Sequence, residues 1–297
     1  EQHRFGVEQR GALTRQKPRP HLLGMSATPI PRTLSLTIYG DLDITTLKIL
    51  PEGRQPITTT LATNQVAKNH AYELVRQQVA RGKQAFVVCP LIEPSDSIES
   101  ASALEELKHL QQGEFKDIRV GLLHGRMKLA EKQDVMERVR NKQVDVLVAT
   151  PVIEVGMDIP NATVMMIMSA NRFGLAQLHQ LRGRVGRGED ESYCVLMANS
   201  KGDLANERIE AMVKYSDGFI LAEEDLRIRG PGDFMGTRQS GWDELKIATI
   251  DDVDLLQIAR KEAADLMADG TLDTLNANPK LASELTRVTS EHIAEFS

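Results

Sequence analysis

The sequence predicts an α/β protein: a parallel sheet flanked by helices on both faces. Three observations carry this. From about Gly53 to Met197 strand-like and helix-like segments alternate regularly. Most of the strand-like segments, such as Ala85 to Cys89 and Val144 to Ala149, are unbroken apolar runs. A strand apolar on both sides must be covered on both sides, which crossover helices in a parallel sheet achieve. Glycines stand where helices should end, as Gly82 and Gly113 do, because a glycine accepts the left-handed backbone of a helix C-terminus.

The elements follow in order. Leu22 to Thr28 is a short apolar run that reads as a strand, stopped by Pro29 and Pro31. Pro31 suits the first turn of a helix over Arg32 to Tyr39. Ile44 to Leu50 reads as another strand and Pro51 to Arg54 as a turn. Ile57 to Ala62 alternates threonines with apolar residues, the pattern of a half-buried strand. Val66 to Arg81 has helical spacing with Val66, Tyr72, Val75 and Val79 inward. Helices are expected over Ser100 to Gln112 and Leu129 to Arg140, with strands over Ile118 to Leu123, Val164 to Met168 and Ser192 to Met197. Further helices are expected over Lys201 to Tyr215, Asp217 to Ile228 and Asp254 to Met267, with two short ones before Phe296. In parallel sheets ligands sit beyond the carboxyl ends of the strands. His124-Gly125 and the stretch Thr150 to Pro160 are expected there.

The composition narrows the function classes. The 297 residues suffice for about two domains. Aromatic residues make up only 4%, so binding nucleic acid by stacking bases on aromatic platforms is disfavoured. The net charge of −6 is unevenly placed. Trp242 to Ser297 carries 12 acidic and 5 basic side chains, a net of −7, which leaves the first 241 residues at about +1. The acidic tail masks a body whose charge permits a polyanionic partner. Cys89 and Cys194 each lie inside an apolar run, as reduced thiols do. No apolar run reaches the roughly 18 residues that span a bilayer, and no signal peptide opens the chain. A cytoplasmic protein with no membrane partner is expected.

The run Gln177 to Gly188 concentrates the chemistry. A short helix gives way to Arg182-Gly183-Arg184-Val185-Gly186-Arg187-Gly188. Glycines between arginines let the backbone turn tightly, so that guanidiniums converge on one point. A planar guanidinium matches phosphate oxygens with two prongs. A lone Arg-Gly pair reads as a solvated basic turn, whereas three arginines at this spacing do not.

The string resembles the sixth motif of superfamily 2 helicases, Gln-x-x-Gly-Arg-x-Gly-Arg, at Gln180, Gly183, Arg184, Gly186 and Arg187. Four other stretches resemble motifs of the same superfamily, in its chain order. Glu1-Gln2-His3 resembles the end of the second motif, which implies that Glu1 activates water and that a preceding Asp holds Mg²⁺. Ser26-Ala27-Thr28 resembles the third, although Thr28 as a plain helix cap is the simpler alternative. His124-Gly125-Arg126-Met127-Lys128 follows a strand and is either an ordinary exposed loop or a contact to a nucleic-acid backbone through Arg126 and Lys128. Ala149 to Pro160 resembles the fifth motif. There the resemblance implies that Thr150 touches DNA, while Gly156, Asp158 and Gln180 lie at the nucleotide with Arg184 and Arg187.

The finer resemblance is to the RecG family of bacterial branched-DNA translocases. It rests on Glu1 to Val7, Met25 to Arg32, Pro51 to Ile57, His124 to Lys128, Gln177 to Gly188, and Asp225 to Gly241. The last run resembles the TRG motif, shared with the transcription-repair coupling translocases. It implies that Arg229 and Gln239 couple nucleotide state to DNA movement; read by itself it is a glycine-broken basic turn. The family implies a RecA-like C-terminal motor domain followed by a helical hook. The expected division is 1–52 for the trailing part of a first motor domain, 53–215 for the second, and 216–297 for the hook and C-terminal helices. It also implies ATP and Mg²⁺ as cofactors, branched or double-stranded DNA as partner, and remodelling of stalled forks and recombination junctions. Two departures matter. No Gly-x-x-x-x-Gly-Lys-Ser/Thr occurs in the sequence, and that loop cradles nucleotide phosphates. The chain also begins at Glu1 without methionine, as a truncated piece does. The chain alone is therefore expected to be inactive. Its strand Leu22 to Ser26, lacking sheet neighbours, is expected to be disordered or to pair in a swapped dimer through residues 1–50. Two other readings stand beside this one: a transcription-repair coupling translocase, and a non-catalytic nucleic-acid-binding domain with the same fold.

Overall fold

The structure is a computed structural model that describes residues 55–90, 99–151, 158–198, 203–229, 253–268 and 278–295, with His21, residues 23–26, Pro29 and residues 45–47. The elements are β1 (Ile57–Ala62), α1 (Gln65–Ala80), β2 (Gln84–Val88), α2 (Glu99–Gln112), β3 (Val120–Leu123), α3 (Leu129–Arg140), β4 (Val146–Ala149) and β5 (Ala162–Ile167). A single 3-10 turn (Ala170–Arg172) leads into α4 (Leu175–Arg182), β6 (Ser192–Met197), α5 (Asp203–Lys214) and α6 (Gly218–Arg229). Two helices follow, α7 (Val253–Ala268) and α8 (Pro279–Glu295).

Six strands form one sheet in the order β1-β6-β5-β2-β4-β3, and every pairing is parallel. Because successive side chains of a strand point to opposite faces, each apolar run feeds two cores. Phe86, Leu147, Met165, Ile167, Cys194 and Leu196 join the core under α3, α4, α5 and α6. Their neighbours Ala85, Val87, Val146, Val164, Met166 and Val195 join the core under α1 and α2, with Tyr72, Val75, Leu110 and Phe115. The Tyr72 and Phe115 rings meet edge to face at 5.8 Å.

Local chemistry fixes the helix ends. Asn64 Oδ1 accepts from the Ala67 N–H at 2.9 Å and starts α1. Gly82 ends it at φ 76°, with the Lys83 N–H donating to the Gln78 carbonyl at 3.0 Å. At the end of α3 the left-handed position is taken by Lys142, at φ 56°.

Several expectations change. Val66 is 67% exposed rather than inward, because Ala71, Tyr72 and Val75 form the buried face of α1. Residues 23–26, expected within a strand, have no regular structure and leave Leu23 82% and Met25 69% exposed. Apolarity alone does not make a strand; a strand needs a neighbour to complete its ladder. No strand of the described sheet pairs with residues 23–26. Residues 45–47, expected in the second early strand, are likewise irregular and exposed. The helix expected over Arg32 to Tyr39 lies outside the described residues. Of the stretch after Ala268, where two short helices were expected, the described part is the 17-residue helix α8; residues 269–277 lie outside the described residues.

The chain divides into two compact units. One contains the sheet and runs through Ile228; the other contains α7 and α8.

Candidate functional site

The arginine string is placed by α4, the crossover between β5 and β6. Leu175, Leu178 and Leu181 are fully buried and hold the helix on the sheet. The helix starts near the carboxyl edge of β5 and delivers residues 183–191 to the amino edge of β6. The string therefore sits at the amino ends of β5, β6 and β1.

Its first arginine turns inward. Arg182 is 4% exposed. Its Nη1 donates to the carbonyls of Met212 at 3.0 Å and Tyr215 at 2.9 Å. Its Nη2 donates to the Ser216 carbonyl at 2.9 Å and meets His179 Nδ1 at 3.1 Å. A guanidinium only donates, so Nδ1 accepts and the neutral ring carries its hydrogen on Nε2. The three carbonyls belong to the end of α5 and the turn after it, where helix carbonyls lack partners of their own. Burial pulls the Arg182 pKa below its ordinary value. This cap is a structural role that the sequence reading assigned to none of the three arginines. The signal was its phase, since Arg182 lies four residues after Leu178, on the buried face.

The rest of the string forms a tight loop. Gly186 adopts φ 71°, and a Cβ there would lie 2.9 Å from Ile57 Cγ1. A Cβ on Gly188 would lie 3.1 Å from the Pro160 carbonyl oxygen. A side chain at Gly186 would be strained and would clash with Ile57, while one at Gly188 would require Pro160 to give by a few tenths of an ångström, so the loop sits close against Pro160. Val185 and Ile159 are buried on either side of the seam. Across it Arg187 Nη1 pairs with Asp158 Oδ1 at 3.1 Å, while Nε donates to the Gly183 carbonyl at 3.3 Å. Arg184 lies in the same loop, half-buried, with its N–H on the Leu181 carbonyl. Gln180 is half-buried on α4.

The structure thus brings together Asp158, Arg184 and Arg187, but not beyond the carboxyl ends of the strands, where Thr150 to Pro160 was expected as a whole. β5 runs parallel to β4, so the chain must return to the amino edge before β5 begins. Asp158 to Pro160 lies after that return. Thr150 stays at the carboxyl edge, buried, with its N–H on the Leu123 carbonyl at 3.1 Å. Beside it the loop after β3 presents Arg126 and Lys128, both exposed. The Lys128 N–H donates to Glu131 Oε2 at 2.8 Å and so opens α3. No described group of three or more His, Cys, Asp and Glu side chains could hold a metal ion.

The hairpin of α5 and α6 joins this assembly through Gly218. A Cβ there would lie 2.6 Å from His179 Nε2 and 2.7 Å from Pro29 Cγ. Asp217 Oδ1 accepts from the Phe219 N–H at 2.7 Å and caps α6. Arg229 is the last residue of α6 and is exposed; Ser26 is exposed too. Glu1, Thr28, Gly156 and Gln239 lie outside the described residues. Cys89 and Cys194 are free and buried, and burial pushes both thiols up to about 12. Among the described residues no helix is long and apolar enough to cross a membrane.

Residues 67–189 match the family described as helicase conserved C-terminal domain, and residues 215–291 match ATP-dependent DNA helicase RecG, domain 3, C-terminal. The chain is 48% identical over 288 residues to the ATP-dependent DNA helicase RecG of Synechocystis sp., covering 97% of this chain and 34% of that protein. It is 47% identical over 275 residues to the protein of the same name from Staphylococcus aureus, covering 91% of this chain and 39% of that one. A solved structure described as RecG bound to a three-way DNA junction aligns with a TM-score of 0.63 at 46% identity, covering 79% of this chain and 30% of its own. The chain spans between a third and two fifths of the length of these curated relatives. The six-stranded sheet with its flanking helices is a RecA-like helicase C-terminal domain, and over most of its length the chain matches the C-terminal portion of the RecG helicases.

Proposed function

We propose that this chain is the second motor half of an ATP-dependent DNA helicase that remodels branched DNA, including stalled forks and recombination junctions. The observation that carries the reading is the seating of Arg187 on Asp158, in a glycine-built loop that also holds Arg184. Arg184 and Arg187 stabilise the charge that develops on a transferring γ-phosphate, an effect worth roughly 10³–10⁵ in rate. Glu1 activates the attacking water, and Mg²⁺, when bound, would supply positive charge to offset that of the phosphates. The triphosphate is cradled by a P-loop that the sequence does not contain. Arg126 and Lys128 meet the DNA backbone at the opposite edge of the sheet, where the buried Thr150 supports their loop through its N–H on the Leu123 carbonyl. Ser26, Thr28, Arg229 and Gln239 relay nucleotide state to DNA movement. Residues 1–52, 53–215 and 216–297 are the trailing part of the first motor domain, the second motor domain, and the hook with its C-terminal helices. The protein acts in the bacterial cytoplasm.

The test is ATP turnover with and without forked DNA. The isolated chain should show none. A full-length RecG-type helicase carrying these residues should show DNA-stimulated turnover that falls at least 10³-fold on Arg187→Ala. Turnover by the chain alone, or undiminished turnover in that variant, would overturn the proposal.

A further inference from the structure

We infer that Asp158 is a positioning residue: its carboxylate aims the Arg187 guanidinium and does not itself meet the nucleotide. The guanidinium has three nitrogens. Nη1 is held by Asp158 Oδ1 at 3.1 Å and Nε by the Gly183 carbonyl at 3.3 Å. Nη2 makes no hydrogen bond among the described residues, which leaves it as the donor available to an anion. Two grips on one planar group fix both its place and its plane, leaving one edge to meet an anion.

The grip is rigid because both of its jaws are. Gly183 lies in the turn out of α4, which the Arg184 and Val185 N–H groups close on the Leu181 and Arg182 carbonyls, and Leu181 and Val185 are buried on either side of it. Asp158 stands next to Ile159, which is 3% exposed, and its segment is pressed against the loop by the close approach of Gly188 to the Pro160 carbonyl. The carboxylate and the arginine it holds are therefore carried on one body, although 29 residues separate them. The pair is partly exposed, at 31% for the Arg187 side chain and 69% for that of Asp158. Ion pairs in such settings add little to stability. Aim explains the pairing better than fold stability does. A carboxylate facing a triphosphate directly would repel it, whereas one bound behind the guanidinium orients the cation that attracts it.

This inference rests on the reading of Arg187 as a phosphate-facing residue, and the experiment separates the two. In the full-length helicase, DNA-stimulated turnover is measured for Asp158→Ala, Asp158→Asn, Arg187→Ala and the double variant Asp158→Ala/Arg187→Ala. Misaiming a catalytic cation by about 1 Å costs on the order of 100-fold. Asp158→Ala should lower kcat by about 10- to 100-fold, with the DNA concentration for half-maximal stimulation unchanged. Asp158→Asn, which keeps an oxygen acceptor without the charge, should lose less. The double variant should be no slower than Arg187→Ala alone, because a residue acting only through another has no effect once that one is gone. Wild-type turnover in Asp158→Ala overturns the inference and leaves the proposed function standing. A further loss in the double variant also overturns it, by showing that Asp158 touches the ligand itself. Full turnover in Arg187→Ala removes the proposed function and this inference together.

Discussion

Glu106 shows how much one side chain's surroundings decide. It stands on α2, and its Oε1 is buried without a hydrogen-bond partner, while His109 Nδ1 lies 4.0 Å away. Burial raises its pKa above the usual carboxylate value, and the nearby His109 and Lys68 only partly oppose that. A carboxyl with a raised folded-state pKa binds its proton more tightly when folded, so its contribution favours folding at low pH and fades as pH rises through the ordinary value toward the raised one. Glu106→Gln keeps the shape without the charge. Thermal melting from pH 4 to pH 8 should show the variant matching the wild type at the acid end and melting higher at neutral pH. An identical pH dependence in both proteins would contradict this. Asp145 is the opposite case: the hydrogen bond from Arg119 holds its carboxyl below the usual range. Its contribution is present above the ordinary carboxylate pKa and is lost as pH falls through the depressed value.

At the level of elements, the arginine string divides its labour between fold and chemistry. Arg182 joins α4 to the end of α5 with three carbonyl contacts. Removing Arg182 leaves buried carbonyls without a donor, at about 1–3 kcal/mol for each group left unsatisfied, whereas removing a partly exposed ion pair costs about 0–1 kcal/mol. Urea unfolding should therefore rank Arg182→Ala far below Arg187→Ala in stability, with Arg182→Lys between Arg182→Ala and the wild type, because one ammonium cannot reach three carbonyls and an imidazole in a plane. Equal stabilities for Arg182→Ala and Arg187→Ala would refute this ranking. The sequence exposed the three arginines and their glycines but not this division. What separates them is helical phase and the position of α5, which is a tertiary fact. The Asp158 contact was out of reach for the same reason. The strands, by contrast, were legible. β2, β4, β5 and β6 are apolar on both faces because both faces are covered, and the threonine alternation of Ile57 to Ala62 marked β1 as half-covered, which its place at the sheet edge explains. The early run around Leu23 and Met25 misled because hydrophobicity specifies burial but not a pairing partner.

Across the whole molecule the two units differ in how well they are sealed. In the sheet-bearing unit most strand residues are inaccessible, whereas α7 leaves Leu255 at 52% and Ile258 at 59% exposed, and α8 leaves Leu285 at 50%. Segments with few buried contacts open most easily. Limited proteolysis should cut within residues 253–295 well before it cuts within 57–198, and mass spectrometry of the early products would show it; first cleavage inside the sheet would contradict it. Elsewhere the sealing has a mechanical side. The arginine loop sits at one rim of the sheet and the loop after β3, with Arg126 and Lys128, at the other, a strand's length apart, roughly 20 Å for six residues. Between them run β4 and β5, clamped above and below by close-packed side chains that leave no slack to bend. Such a slab transmits displacement as a plank does: when one rim is drawn inward the far rim must swing, with little motion lost to deformation in between.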